Sequence, residues 1–195
     1  MINFNRSMTS LMAEIVRFVP EFHPIQSDRV LVSAAFQRGR RRSGLLAYVL
    51  PLRYRDGCPV ERRVKGMKVY HWAMLPYQHE GVEILYIVYF MLPRFLKLGF
   101  REKIETVIHE LYHISPDFNG DLRRFRGRSR LHGGMREYDY KVKQITDAFL
   151  AAPHDSNVYE FLRRASDGEL QAMHVAEPRP RLVKVATLSE IATPS

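Results

Sequence analysis

The chain has 195 residues, 46% of them apolar, and a formal charge of +9. That length and apolar share suffice for one ordinary core and exclude a disordered or fibrous chain. The positive surplus favours polyanionic partners but carries no information about fold. Cys58 is the single cysteine, which excludes an internal disulfide and a cysteine-type zinc site and suits a reducing compartment.

In chain order, Met8, Leu11, Met12, Ile15, Val16 and Val19 recur at helical spacing. They predict a packing helix over Met8 to Val19, ended by Pro20 and Pro24. Glu14 and Arg17 interrupt its apolar run, so no export signal is read there. The longest apolar stretch, Ile84 to Pro93, falls far short of the roughly 20 residues of a membrane helix. The expected location is the cytoplasm, with no membrane partner.

Arg29 to Phe36 and Leu45 to Tyr54 read as strands joined by a basic turn, Arg38 to Gly44, and predict a hairpin. Pro51 points the second strand to an edge or a bulge. Asp56-Gly57-Cys58-Pro59 opens a polar connection reaching about Lys65, and Met67 to Trp72 predicts a short strand. Gly81 to Met91 is apolar on both faces and predicts a central or covered strand, closed by Pro93.

Ile104, Val107, Ile108 and Leu111 predict a helix over Arg101 to Ile114, with Glu102 and Glu105 near its start and Ser115-Pro116 as its stop. Asp117 to Gly134, with four glycines and many arginines, reads as a long loop of the kind that tends to be functional. Tyr138, Val142, Ile145 and Phe149 predict a helix over Glu137 to Leu150. Val158 to Met173 reads as one more, weakened by Asp167-Gly168. The expected organisation is a single domain over residues 1–174 and a flexible tail over 175–195.

The chemistry concentrates in His109-Glu110-Leu111-Tyr112-His113. Residues four apart share one helix face, so two imidazoles at this spacing can hold one Zn2+ ion. Glu110 then lies beside the ion, placed as the general base towards its water. A catalytic zinc needs a third protein ligand. His132, in Leu131-His132-Gly133-Gly134, is the first candidate; Glu137 follows, and Asp117 and Asp121 are weaker options. One of these two aspartates could instead orient a ligand histidine. Tyr138 or Tyr140 could donate to a developing oxyanion, although packing suits both better. His23, His71, His79, His154 and His174 have no metal-like spacing.

With that motif in hand, the chain resembles small zincin-type metallopeptidases. It is similar to the phage-type metallopeptidases and, more distantly, to the SprT-like group. The closer likeness rests on Leu85-Tyr86-Ile87-Val88, Leu92-Pro93-Arg94-Phe95-Leu96, the motif helix and Ile114-Ser115-Pro116, within about residues 29–150. The resemblance implies an α+β fold, a small antiparallel or mixed sheet packed against the motif helix and the helices that follow. It also implies a downstream histidine completing the zinc site, which maps onto His132. The long arginine-rich loop before that histidine departs from common zincins. SprT-like members act on proteins attached to DNA.

The expected function is therefore zinc-dependent hydrolysis of peptide bonds in a protein or peptide substrate. Arg38 to Arg42 holds four arginines; Arg123 to Lys143 holds six arginines and two lysines against Glu137 and Asp139. Non-specific nucleic acid contact through these segments motivates an alternative, a nucleic-acid-associated binding protein with a structural zinc site. Hydrolysis of a non-peptide amide would use the same zinc and glutamate.

Overall fold

The computed structural model describes residues 2–36, 44–66, 68–124, 135–155, 157–164 and 170–183. The first part of the chain comprises β1 (Ile2–Asn3), α1 (Phe4–Phe18), β2 (Val30–Phe36), β3 (Ala47–Pro51), β4 (Val60–Lys65) and β5 (Lys68–Ala73). There follow β6 (Tyr77–His79), β7 (Val82–Ile84), β8 (Tyr86–Leu92), α2 (Phe100–Tyr112), α3 (Met135–Ala151), α4 (Asn157–Arg164), β9 (Leu170–Gln171) and β10 (Arg181–Val183). The architecture is α+β, with small mixed and antiparallel sheets.

All seven residues of β8 are buried. Tyr86, Val88, Phe90 and Leu92 enter the main core with the buried faces of α1 and α2. Ile87 and Tyr89 enter a second cluster with Leu52, Met74, Ile84 and Val175 on the opposite face. A strand covered on both sides is apolar at every position, which is the pattern its sequence carries. It takes the middle of a three-stranded sheet, parallel to β2 (Val30↔Tyr86 through Phe36↔Leu92) and antiparallel to β3 (Ala47↔Phe90 through Pro51↔Tyr86).

The helices follow from their stripes. Phe4, Met8, Leu11, Met12 and Ile15 are buried along α1, and the Asn3 side chain caps its start by accepting from the Arg6 amide at 3.0 Å. Ile104, Val107, Ile108 and Leu111 are fully buried along α2. Glu102 closes the start of that helix by accepting from the Gly99 amide at 2.7 Å. Lys103, also buried, donates to the Leu162 carbonyl of α4 at 2.8 Å.

Several expectations are corrected. β2 and β3 form no hairpin, because β8 lies between them; burial rather than adjacency selects the partner. The polar connection before Lys65 contains β4, which pairs with β5 at the edge of a second sheet, β10-β5-β4. β4 escapes notice because Arg62, Arg63 and Lys65 are exposed, as charges on an edge strand generally are. The single strand expected over Gly81 to Met91 is broken at Leu85, whose amide bonds the Arg29 carbonyl and whose carbonyl accepts from the Leu52 amide, both at 2.9 Å. The helix expected from Val158 to Met173 is the shorter α4. Val175 is buried, and β10 pairs antiparallel with β5. Among the described residues no helix is long and apolar enough to cross a membrane. The Arg38 to Arg42 segment and residues 125–134 of the second basic segment lie outside the described residues.

Candidate active site

The buried stripe of α2 fixes its rotation and brings His109 and Glu110 to a cleft of about 540 Å³, whose walls include Ala47, Asp139, Val142 and Lys143. α2 ends at Tyr112, and His113 is its cap residue with φ −72° and ψ −21°. Both histidines are half-buried, and their Nε2 atoms converge to 3.1 Å with ring centroids 4.8 Å apart. Two nitrogens on one tetrahedral ion at 2.0–2.1 Å stand about 3.3 Å apart. The pair thus has close to the spacing of two ligands of a common cation. It equally suits an N–H···N bond between neutral rings, so the distance marks a fit rather than an assignment.

Glu110, one residue after His109, is 5% exposed. Burial pushes its carboxyl up to about 8, and a hydrogen bond from the Val49 amide partly offsets that rise. The β3 register explains why this amide is available. The Leu46 carbonyl accepts from the Met91 amide at 2.8 Å, so even-numbered residues of this strand turn their backbone towards β8. Ala47, Val49 and Pro51 therefore turn theirs outward. Pro51 occupies a position of the sheet that requires no amide, consistent with the edge placement expected for it.

The α3 side is aromatic. Tyr138 is 3% exposed, and its ring lies 4.9 Å from His109, 5.2 Å from His113 and 5.1 Å from Tyr112. Its hydroxyl donates to the His109 carbonyl at 2.9 Å. Burial raises the phenol well above its ordinary range. Packing is the role this geometry favours for Tyr138 over oxyanion donation; Tyr140 is exposed.

After His113 the chain makes a tight return. Ile114 bridges Leu122, and the Arg123 amide donates to the His113 carbonyl at 2.7 Å. Tyr86 pins this loop from below: its hydroxyl accepts from the Gly120 amide at 2.9 Å and donates to the Asp121 carbonyl at 2.8 Å. The Asp121 carboxylate accepts from the Leu122 amide at 2.8 Å and the Asp56 amide at 2.9 Å, and pairs with Arg124 at 2.8 Å. Those contacts make it a loop brace. Asp117 is exposed, as is Glu137 in the first turn of α3.

The structure thus brings His109, Glu110 and His113 together and brings neither Asp117, Asp121 nor Glu137 to complete the pair. Among the described residues no group of three His, Cys, Asp or Glu side chains could hold a metal ion. His132 lies outside the described residues. Two contributors were missed from the sequence. The Val49 amide is backbone, so no residue type announces it. Glu21, after α1, pairs with Arg123 at 3.5 Å and Lys141 at 3.1 Å, joining segments too far apart in sequence to be associated.

Residues 6–166 match the model of a family described as Putative phage metallopeptidase. No curated protein and no solved structure matches the chain.

Proposed function

The chain belongs to the putative phage metallopeptidase family, and from that premise we propose that it is a zinc-dependent peptidase. His109, His113 and His132 are the proposed ligands, and Glu110 is the proposed general base. The observation that carries this reading is the convergence of the two Nε2 atoms to 3.1 Å, with His109 lining the same cleft as the buried Glu110. A nitrogen donor set suits zinc, which when bound polarises a carbonyl and brings the pKa of water towards ~7.

The chain's own residues supply the rest. Glu110 takes a proton from the attacking water and returns it to the leaving nitrogen. The Val49 amide orients it. His132 stands three residues before Met135, where α3 begins, so by chain geometry it can lie at most about 10 Å from the start of the helix that packs on both imidazoles. That tether supports His132 over Asp117 and Asp121.

A peptide is favoured over a small amide because Ala47, with its backbone turned outward, lines the cleft. An extended peptide can add its own backbone hydrogen bonds to such an edge. Family membership does not favour the nucleic-acid-binding alternative. The lone cysteine supports a reducing compartment, and the proposed location is the cytoplasm.

Elemental analysis tests the metal assignment. One zinc per wild-type chain is expected, retained in Glu137→Ala and lost in His132→Ala. Zinc loss in Glu137→Ala alone would transfer the third-ligand role to that glutamate. A wild-type protein purified with zinc present yet holding none would end the reading.

A further inference from the structure

The last turn of α2 is tighter than the rest of the helix. The His113 amide turns to the Glu110 carbonyl and the Ile114 amide to the Leu111 carbonyl, each three residues back and each at 3.1 Å. An α-helical continuation would aim the His113 amide at the His109 carbonyl instead. Tyr138 of α3 donates to that carbonyl at 2.9 Å. Its hydroxyl therefore fastens α3 to the backbone of a residue whose ring faces the cleft.

The ring of the same tyrosine bears on both imidazoles, at 67° to His109 and 30° to His113. Its bulk excludes the side-chain rotations that would swing either imidazole into its place. Tyr112 backs it at 5.1 Å and carries the Arg123 guanidinium over its own face at 4.2 Å. Glu21 joins that arginine to Lys141, three residues after Tyr138 on α3. The same stretch of α3 is thus tied to the helix end, to the loop after His113 and to the segment following α1.

Two freely rotating imidazoles would each lose rotamer freedom on binding an ion, whereas a pair held convergent loses less. We propose that Tyr138 is a positioning residue that holds His109 and His113 convergent, so that zinc affinity depends on α3 docking against α2. This rests on the zinc reading given above.

The test compares wild type, Tyr138→Phe and Tyr138→Leu. Zinc affinity is measured by competition with a chromogenic chelator, the ligand field by the d–d spectrum of the cobalt-substituted protein, and stability by thermal melting of the metal-free protein. Tyr138→Phe keeps the ring and loses the bond to His109. Its zinc affinity is expected to fall several-fold while its melting temperature stays within about 5 °C of wild type. Tyr138→Leu is expected to bind about 10–100-fold more weakly, with an altered cobalt spectrum. Wild-type affinity and an unchanged spectrum in both variants, whatever their melting temperatures, would reduce Tyr138 to a core residue and overturn the inference alone. A wild-type protein that takes up neither zinc nor cobalt would overturn the functional reading and this inference with it.

Discussion

The two flanks of the histidine pair differ in kind. On the α3 flank stand a buried tyrosine ring, a second tyrosine behind it and an ion-paired network through Glu21. On the β3 flank stands a backbone amide that meets the buried Glu110 carboxylate, and the cleft opens between this flank and α3. The first flank can fix where two nitrogens point. The second can hold a proton and receive a chain. In the proposed reading, the supports for ligand placement and for proton transfer come from different flanks of α2, and changes on one side should leave the other function standing.

The sharpest way to break that division is Glu110→Gln. Loss of general-base function is expected to lower peptide hydrolysis by about 10²–10⁴-fold, with zinc content at the wild-type level. Wild-type turnover would remove Glu110 from the chemistry, and loss of zinc would show that the flanks are not separable. A milder probe of the same flank is Ala47→Pro, which deletes an outward amide without removing a bond to β8. We expect kcat/KM for peptides to fall about fivefold, as for the loss of one hydrogen bond of about 1 kcal/mol, with zinc content unchanged. An unaltered kcat/KM would argue against substrate addition along β3.

Beneath both flanks lies the Tyr86 hydroxyl, which pins the loop after His113. Tyr86→Phe is expected to cost about 1–3 kcal/mol, chiefly through the unsatisfied Gly120 amide, since the Asp121 carbonyl still accepts from the Ser115 amide at 3.2 Å. The melting temperature should fall by several degrees. An unchanged melting temperature would mean that the loop is held by its other contacts alone. The smallest effect is alkaline. Burial pushes both Tyr86 and Tyr89 up to about 12 from an ordinary value near 10. The folded state then holds protons that the unfolded chain releases, so stability should decline as pH rises from about 10 through 12. Tyr86→Phe should flatten that decline in denaturant melts taken across the range; an identical slope would contradict the assignment.

Much of the frame was legible because burial writes a plain pattern. The double-sided apolarity of β8 indicated a covered strand, and the stripes of α2 and α3 located both helices to within about two residues. Strand pairing was not legible, since β2 and β3 are neighbours in sequence but meet only through β8. β4 was hidden because its side chains face solvent. At the site, the four-residue spacing of His109 and His113 is enough to put both rings on one side of the helix. What that spacing does not encode is the environment of each group. The depth of Glu110 depends on β3, and the tyrosine contact depends on α3, each some distance away in sequence.

Arg123 bonds back to His113, and Tyr138 bonds to His109, so the chain between them departs and returns at one spot. Extra residues inserted after Arg124 would enlarge a ring whose ends already meet. Doubling the length of such a ring costs only about 0.6 kcal/mol. A peptide inserted directly after Arg124, ahead of His132, would therefore cost little and leave the His109 and His113 imidazoles where they are.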